Sequence, residues 1–342
     1  MAVLHPDAGL AARQRQSQLT KPAGSLGRLE ALACWLAERS GQVCPPLPQP
    51  GIAVFAGDHG VAADGVSAFP SAVTAEMVKN FTRGGAAINV LARAIAAPLE
   101  VVDVGVASPL PAELPIVHAR VRAGTGNLRT EAAMSLDECR QALAIGRASA
   151  RRLHAQGATL LIAGDMGIGN TTASACLVCA FTGATPEDIV GLGTGIDDAR
   201  RAHKVAVVGE ALARAQAAGA HDGESWLAQV GGLEIAAMAG LLLETAALGI
   251  PALLDGFIAT AAALAARAIE PAAADWWLAS HRSQEQGHLR ALTALGLTPL
   301  IDLELRLGEG SGAALAVPLI QMAVRLHNEM ATFAEAGVSG AA

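Results

Sequence analysis

The feature that most constrains this chain is a repeated alternation of short apolar runs, most of them ending in glycine, with longer alanine-rich segments. Each run has the length of a buried strand; the runs are Gly51–Gly57, Leu99–Gly105, Ala158–Gly164, Ile189–Gly193, Ala252–Gly256 and Leu300–Leu307. The segments between them have helical length and composition; they are Ala72–Ala96, Ser135–Ala155, Thr171–Phe181, Ala199–Ala217, Ile258–Ala268 and Gly312–His327. Strands that alternate with helices predict βαβ units, and therefore an α/β fold built on a doubly wound parallel sheet.

A proline-rich segment, Cys44–Pro50, separates this region from the N-terminal part of the chain. Proline cannot continue a helix or a central strand, so the segment indicates a connector. Before it, Ala11–Leu19 and Leu26–Glu38 place apolar residues three and four positions apart, which predicts two helices. We therefore expect a domain boundary near Pro45.

The composition excludes several classes of protein. Hydrophobic residues make up 52% of the 342 residues, enough for a large core, and this excludes a disordered chain. The net charge of −7 argues against a nucleic-acid partner, because no basic surface is available to neutralise phosphates. No uninterrupted apolar stretch has membrane-spanning length, and the N-terminus lacks the apolar core of a signal peptide, so we expect a cytoplasmic protein.

The cysteines do not indicate a disulfide framework, because their number is odd: the chain has five. Cys176 and Cys179 have the spacing of a CxxC motif, but the residues around them are small and apolar, and no second pair follows. We interpret the spacing as helix packing rather than as a zinc or redox site.

The glycine-rich loops follow predicted strands, and ligands of doubly wound sheets bind at the carboxyl ends of the strands. Gly164–Thr172 ends one strand and begins a helix. Because glycines let the backbone approach an anion and a helix start offers N–H groups, the loop is a candidate phosphate site; a tight strand–helix turn is the alternative. Gly191–Asp198 has the same context, and Lys204 lies about two turns into the next helix, from where its side chain can reach back.

Two further loops bring acidic residues to the same edge. Leu307–Gly312 places Glu309 among three glycines, which suits either a general base or a solvated turn residue. Gly57–Gly60 places Asp58 beside His59; one adjacent pair does not make a metal cage, and a role in loop architecture is equally open. The polar run Ser280–His288 stands out in an apolar chain, but its spacing indicates no particular chemistry.

Six motifs occur together and in order along nearly the whole chain. They are Lys21–Glu30 (KPAGSLGRLE), Gly57–Val61 (GDHGV), Gly84–Asn89 (GGAAIN), Gly167–Thr172 (GIGNTT), Gly193–Gly195 (GTG) and Leu307–Gly312 (LGEGSG). Each motif alone is weak, whereas the set in this order is specific. With these motifs the sequence resembles the nicotinate-nucleotide–dimethylbenzimidazole phosphoribosyltransferases, the family that assembles the lower ligand of cobalamin.

The resemblance implies a fold, an assembly and a reaction. The fold is a large Rossmann-like domain, here residues 46–324, and a small helical domain made from both chain ends, here residues 1–45 and 325–342; the protein is a homodimer. The reaction moves the phosphoribosyl group of nicotinate mononucleotide onto dimethylbenzimidazole, which gives α-ribazole phosphate and nicotinate with inversion at the anomeric carbon. The family requires no metal and no organic cofactor, so these two small molecules are the expected partners, without nucleic acid or membrane.

The resemblance also assigns candidate site residues. Glu309 occupies the catalytic glutamate position and would accept the proton that the attacking base loses. Asp165 occupies a position where many members have Glu, and its carboxylate, one methylene shorter, would contact the ribose or the pyridinium. Lys204 matches a lysine near the substrate phosphate. The other candidates for substrate binding are Gly167, Gly169, Asn170, Thr171, Gly193, Thr194 and Gly195, with Ser71, Met77 and Lys79 for the benzimidazole pocket.

Two other functions are open on the sequence. The chain could transfer the phosphoribosyl group to a different aromatic base, or it could bind a nucleotide or a corrinoid without catalysis. A panel of bases distinguishes the first alternative. Nicotinate release on mixing the two substrates distinguishes the second.

Overall fold

A computed structural model describes residues 1–191 and 198–339, and within them one parallel sheet of six strands forms the centre of the fold. The strands are β1 (Pro50–Gly57), β2 (Leu99–Gly105), β3 (Val117–His118), β4 (Leu160–Met166), β5 (Ala252–Leu254) and β6 (Trp277–Ala279). Their order is β3-β2-β1-β4-β5-β6, so the direction in which strands are added reverses between β1 and β4. This is a doubly wound order, and the α/β parallel sheet predicted from the sequence is confirmed.

Helices cover both faces of the sheet. They are α1 (Pro6–Gln18), α2 (Arg28–Ser40), α3 (Ala72–Arg83), α4 (Ala87–Ala94), α5 (Leu136–Ala155), α6 (Asn170–Thr182), α7 (Pro186–Ile189), α8 (Asp198–Ala217), α9 (Gly223–Val230), α10 (Leu233–Leu248), α11 (Phe257–Ile269), α12 (His288–Leu295), α13 (Ser311–Glu329) and α14 (Phe333–Ala336), with 3₁₀ turns at Gly60–Asp64 and Pro271–Trp276.

The central strand β1 shows why two layers of helices are needed. All eight of its residues are buried. Ala53 and Phe55 belong to the core that includes α5, α6, α10 and α11, whereas Ile52 and Val54 belong to the core that includes α3, α4 and α13. Successive side chains of a strand point to opposite faces, so a continuous apolar run is stable only where both faces are covered.

Most predicted elements are present with shifted ends, but three predictions are wrong. The segment Ala72–Ala96 is two helices rather than one, because α3 ends at Gly84, which adopts a left-handed conformation with φ 77°. Ile189 ends α7 instead of starting a strand, and Leu192 and Gly193 lie outside the described residues. Leu300–Leu307 forms only an isolated bridge between Ile301 and His281 rather than a strand.

The sequence pattern does not predict α10 or β6. Every residue of α10 from Leu233 to Ala246 is buried. Such a helix shows no alternation of apolar and polar faces, so its sequence carries no helical period to detect.

Among the described residues, no helix has both the length and the apolar character that crossing a bilayer requires.

The cysteines of the CxxC spacing are buried on α6, as the interpretation of helix packing predicts. Cys176 and Cys179 are free and lie in the core that α6 shares with α10. Burial raises the pKa of both thiols, that of Cys179 to about 12, so neither has a reactive thiolate at neutral pH.

The N-terminal helix α1 contacts the C-terminal part of the chain. Arg15 of α1 donates hydrogen bonds to the carbonyl oxygens of His327, Asn328 and Met330, and Leu19 forms a bridge with Thr332. The contact joins the N-terminal helices to the end of α13. The division into two domains stays a prediction, because α13 runs without interruption through the expected boundary at residue 325.

We expect the contact between α5 and α10 to require glycine at position 146. A Cβ atom on Gly146 would overlap the carbonyl oxygen of Ala237, so Gly146→Ala should lower the free energy of unfolding by about 1–3 kcal/mol. Gly209 on α8 is the matched control, because a Cβ there meets no atom within 4 Å. Gly209→Ala should instead raise it by roughly 0.5–1 kcal/mol through helix propensity. Urea unfolding measures both; equal effects would contradict the packing described here.

Candidate active site

The carboxyl ends of β1, β4, β5 and β6 meet at one edge of the sheet. Phe55 of β1 pairs with Asp165 of β4, so the chain that follows β1 lies beside the loop that follows β4. A cavity of about 260 Å³ opens at this edge. It is lined by Ser67, Phe69, Val73, Met77, Gly256, Phe257, Ile258, His281, Ser283 and Glu285, and by residues 165–171 and 306–309.

A larger cavity, about 390 Å³, lies between α1 and α2 and is lined by residues such as Gln16, Cys34 and Trp35. We place the candidate site in the smaller cavity. It lies at the carboxyl edge of the sheet, where doubly wound folds bind ligands, and it contains the buried carboxylates of Asp165 and Glu309.

Among the carboxyl groups that line the cavity, that of Asp165 has the most strongly raised pKa. Its Oδ2 accepts a hydrogen bond of 2.9 Å from Nδ2 of Asn170, the first residue of α6. Burial raises the pKa of Asp165 to about 8; the charges of Asp255, Glu234 and Glu309 add to the increase, and the bond from Asn170 opposes it. A carboxyl group with such a pKa is largely protonated near neutral pH, and a cation placed beside it would favour its charged form.

Asp255 holds the loop that carries Glu309. Its Oδ2 accepts from the amide of Gly310 at 3.1 Å and its Oδ1 from the amide of Ala313 at 2.9 Å, so the carboxylate caps the N-terminus of α13. Burial raises the pKa of Asp255, while the nearby His281 and these amide bonds favour its charged form.

The backbone of the Glu309 loop is strained and tightly packed. Gly308, Glu309 and Gly310 are all left-handed, with φ of 92°, 64° and 87°. Glu309 is not a glycine, so its conformation costs free energy that the surrounding contacts must supply. On β4, Gly164 has no room for a Cβ atom because the carbonyl of Glu309 lies against it.

Glu309 is only 6% exposed, so the interpretation as a solvated turn residue is wrong. Its Oε2 accepts a hydrogen bond of 3.2 Å from the amide of Ile88, in the first turn of α4. The motif Gly84–Asn89 thus provides the helix start that holds this carboxylate. Burial raises the pKa of Glu309, the bond from Ile88 opposes the increase, and the charge of Asp255 adds to it.

Lys204 of α8 extends toward the N-terminus of α6, whereas the sequence predicts only that its side chain reaches back toward the start of its own helix. Its Nζ donates a hydrogen bond of 2.7 Å to Oγ1 of Thr171, which lines the cavity. Lys204 is buried, and burial lowers its pKa, whereas the charge of Glu285 favours its protonated form. A buried ammonium beside a helix N-terminus is a suitable partner for a phosphate group.

Asp58 connects three loops, which supports the architectural interpretation of this residue. Its Oδ1 accepts from the hydroxyl of Thr74 at 2.6 Å and its Oδ2 from the amide of Ala107 at 2.8 Å. Thr74 Oγ1 in turn accepts from the amide of Ile168 at 3.2 Å. Asp58 therefore holds the glycine-rich loop through Thr74 and is not part of the cavity lining.

Of the three residues predicted for the benzimidazole pocket, one lines the cavity and two do not. Met77 lines the cavity together with Val73, four residues earlier on α3. Ser71 and Lys79 do not line it, and their assignment to the benzimidazole pocket stays a prediction. Lys79 follows Met77 by two residues, a rotation of roughly 200° around the helix, and therefore lies on another face.

Of the remaining candidates, Gly167, Gly169, Asn170 and Thr171 line the cavity. Gly193, Thr194 and Gly195 lie outside the described residues. Within residues 1–191 and 198–339, no group of three or more His, Cys, Asp and Glu residues has the geometry of a metal site.

Comparisons with known proteins agree over almost the entire chain. A phosphoribosyltransferase family profile, DBI_PRT, matches residues 1–338. The chain belongs to this family. It is 63% identical over 330 residues to the nicotinate-nucleotide–dimethylbenzimidazole phosphoribosyltransferase of Chromobacterium violaceum, and the match covers 96% of this chain and 95% of that relative. The enzyme of the same name from Pseudomonas aeruginosa PAO1 is 53% identical, and the match covers 96% of this chain and 93% of that relative.

Solved structures of this phosphoribosyltransferase family have the same fold. The crystal structure of CobT from Thermus thermophilus matches with a TM-score of 0.95 at 49% sequence identity. The match covers 98% of this chain and 100% of that chain. The resemblance found in the sequence motifs is therefore confirmed, and the chain is a pentosyltransferase.

Sequence reasoning missed several residues in and around this cavity. Asp255 lies near the end of the predicted strand Ala252–Gly256, and a carboxylate at a strand end was a usable signal. His281, Ser283 and Glu285 belong to the polar run after β6, a strand that the sequence did not predict. His288 in the same run is structural: its Nδ1 accepts from the amide of Ser283 at 2.9 Å, and burial lowers its pKa to about 3.

The raised pKa of Asp165 predicts a pH-dependent loss of stability. The unfolded carboxyl ionises near its ordinary value of 3.8, whereas the folded one ionises at about 8, so the folded state loses relative stability as pH rises between these values. Asp165→Asn removes this loss and should raise the Tm by several degrees at pH 8 but not at pH 3. Asp222 is the opposite case, because hydrogen bonds from Ser225 lower its pKa. Thermal unfolding of Asp222→Asn should show no gain at alkaline pH; the same gain in both variants would contradict the assignment.

Proposed function

We propose that the chain transfers the phosphoribosyl group of nicotinate mononucleotide to dimethylbenzimidazole, with nicotinate as the leaving group and α-ribazole phosphate as the product, in the synthesis of the cobalamin lower ligand. The observation that carries the proposal is the placement of two buried carboxylates, Asp165 and Glu309, in one cavity that also contains the N-terminus of α6. The names of the relatives support the choice of substrates.

The phosphate of the nucleotide binds at the N-terminus of α6. The amides of Ile168, Asn170 and Thr172 already donate to protein oxygens, so they do not form the cradle that the glycine pattern suggests. The hydroxyl of Thr171 and the ammonium of Lys204 are the groups that we assign to the phosphate. A dianionic phosphate restores the charged state of Lys204 that burial disfavours.

The carboxylates stabilise the positive charge of the substrate. Nicotinate mononucleotide has a pyridinium ring, and breaking its glycosidic bond moves the electron pair to the ring nitrogen while positive charge develops on the sugar. Asp165 ionises when this cation enters, because its pKa of about 8 falls beside a positive charge. Its carboxylate then stabilises the oxocarbenium character of the transition state.

Glu309 completes the transfer by removing a proton. One ring nitrogen of dimethylbenzimidazole forms the new bond to the anomeric carbon, and the other nitrogen loses its proton to the carboxylate of Glu309. A carboxylate whose pKa is raised by burial is a stronger base than one in water, which suits this step near neutral pH. The apolar side chains of Phe69, Val73 and Met77 offer the flat base an apolar wall.

Transfer to a different aromatic base is the remaining alternative within the same chemistry. The apolar wall does not discriminate between flat heterocycles of similar size. A panel of bases, assayed by nicotinate release, measures the preference; a base with a higher kcat/KM than dimethylbenzimidazole would replace it in the proposal. No nicotinate release with any base would leave a binding protein.

We also propose the organisation that the family resemblance implies. Residues 1–45 and 325–342 would form the small helical domain, which the bonds from Arg15 to the end of α13 support. A cytoplasmic homodimer stays a prediction.

Glu309 gives the most direct test of the reaction. Glu309→Gln keeps the size of the side chain but cannot accept the proton, so kcat should fall about 10²–10⁴-fold with a smaller effect on nucleotide binding. Glu309→Asp withdraws the carboxylate by one methylene and should be partly active at best. Glu113→Gln, on the exposed surface, is the control. A near-normal kcat for Glu309→Gln, with chemistry rate-limiting, would remove Glu309 from the mechanism.

Lys204 tests the position of the phosphate. Lys204→Ala should weaken binding of nicotinate mononucleotide by about tenfold or more and leave binding of dimethylbenzimidazole nearly unchanged. Lys204→Arg should also bind the nucleotide poorly, because a planar guanidinium differs from an ammonium in shape and reach. Isothermal titration calorimetry with each substrate measures the difference. Equal loss for both substrates would mean that Lys204 supports the fold rather than the phosphate.

A further inference from the structure

A buried pair of polar side chains lies directly beneath the glycine-rich loop of the cavity. His59 follows β1, and Glu234 lies in the first turn of α10. Nε2 of His59 and Oε1 of Glu234 are 2.6 Å apart, and both side chains are fully buried. Neither side chain lines the cavity, and the proposed reaction gives neither of them a role.

The pair is incompletely satisfied. Among the described residues, His59 Nδ1 and Glu234 Oε2 have no hydrogen-bond partner. A buried polar atom without a partner destabilises the folded state, and well-packed apolar residues would avoid the cost. Such an arrangement indicates a purpose other than stability.

The pair touches the loop through glycines. Gly169, with φ 99°, would bring a Cβ atom to 3.0 Å from Cβ of His59, and Gly167 would bring one to 3.2 Å from Oε1 of Glu234. On the other side, Gly232 would bring a Cβ atom to 2.6 Å from Oε2 of Glu234. The backbone at positions 167 and 169 therefore packs closely against the two side chains.

The loop transmits that position to the cavity. Gly169 is the N-cap of α6, and Asn170, the next residue, binds Asp165. Glu234 also acts electrostatically, because its negative charge raises the pKa of both Asp165 and Asp58.

The groups that face Asp165 come from several elements. Glu234 approaches from α10, Asp255 from the end of β5, and Glu309 from the loop before α13, while Asn170 contributes a neutral amide. Because the first three are carboxylates, a negative charge on any of them disfavours the charge of Asp165. Asp255 is held by the amides at the start of α13, and Glu309 lines the cavity. Of the three carboxylates, Glu234 is therefore the one to which the proposed reaction gives no role.

We propose that His59 and Glu234 are a positioning pair for the transfer reaction: their hydrogen bond holds the loop at residues 167–169, and the carboxylate of Glu234 opposes charge on Asp165 until the cationic substrate binds. The role of Asp165 in this statement rests on the proposed function. The pair itself touches neither substrate.

Substitution of Glu234 tests the electrostatic part. Glu234→Gln removes the charge and keeps the size, so Asp165 should ionise at a pH lower by on the order of one unit. Carbon-13 NMR of aspartate carboxyl groups measures this directly, with Asp165→Asn to assign the signal. Glu244→Gln is the control on the same helix, because Glu244 pairs with Arg147 and Arg151 at a distance from the cavity. If Asp165 ionises at the same pH in Glu234→Gln as in the wild-type protein, the proposal is wrong.

Substitution of His59 tests the mechanical part. His59→Ala removes the hydrogen bond, and the KM for nicotinate mononucleotide should rise about ten- to hundredfold, because the loop no longer holds its groups in position. His59→Gln retains a donor and should restore most of the affinity. A purely structural role would lower the amount of active enzyme, and hence kcat, with KM unchanged in both variants; that result would overturn the proposal.

The unaltered protein provides a measurement that does not depend on the folding of variants. The ring N–H proton of His59 should give a slowly exchanging NMR signal that shifts when nicotinate mononucleotide binds. A signal that does not move at saturating nucleotide would contradict the contact between pair and loop. If the wild-type protein releases no nicotinate, the proposed function fails, but the Asp165 titration in Glu234→Gln still decides the electrostatic part.

Discussion

The site depends on the carboxylate of Asp255, which accepts hydrogen bonds from the amides of Gly310 and Ala313 at the start of α13. These bonds hold a loop in which a non-glycine residue, Glu309, adopts a left-handed conformation. The same loop lies against Gly164 of β4, where there is no space for a side chain. One buried acceptor thus joins β5, β4 and α13, and it aims Glu309 at the cavity. Because the backbone of Glu309 is strained, its position requires contacts from all three elements.

Concentrating carboxylates at one edge of the sheet disfavours their charged forms. Asp165, Asp255 and Glu309 are all buried, and burial raises the pKa of each. In the proposed reaction, the same carboxylates would complement the positive charge of the substrate, which grows in the transition state. The ammonium of Lys204 is the opposite case, because burial lowers its pKa and the phosphate that we propose beside it would favour its charged form. A ligand with a cationic ring and an anionic phosphate satisfies both ends together.

The fold was largely predictable because its signals are local. Continuous apolar runs such as β1 and β4 indicate strands covered on both faces, and the loops that follow them contain the glycines of the site. The predictions failed where a local pattern is ambiguous. The helix α10 is buried on all sides and has no amphipathic period. Leu300–Leu307 alternates apolar and polar residues like a strand, yet it forms only an isolated bridge, between Ile301 and His281, beyond the end of β6.

The sequence alone determined the α/β class and the motifs, because these depend on residue types at short spacings. The order of the motifs carried the family resemblance, and the resemblance implied the candidacy of Asp165 and the roles of Glu309 and Lys204. Only the tertiary structure decided that Glu309 is held by the amide of Ile88, 221 positions away in the chain. It also decided that Met77 lines the cavity while Lys79 does not, that His281 lines it, and that Asp255 holds the loop of Glu309. These outcomes depend on which strand ends and helix starts become neighbours when the sheet forms, and spacing along the chain carries no information about that.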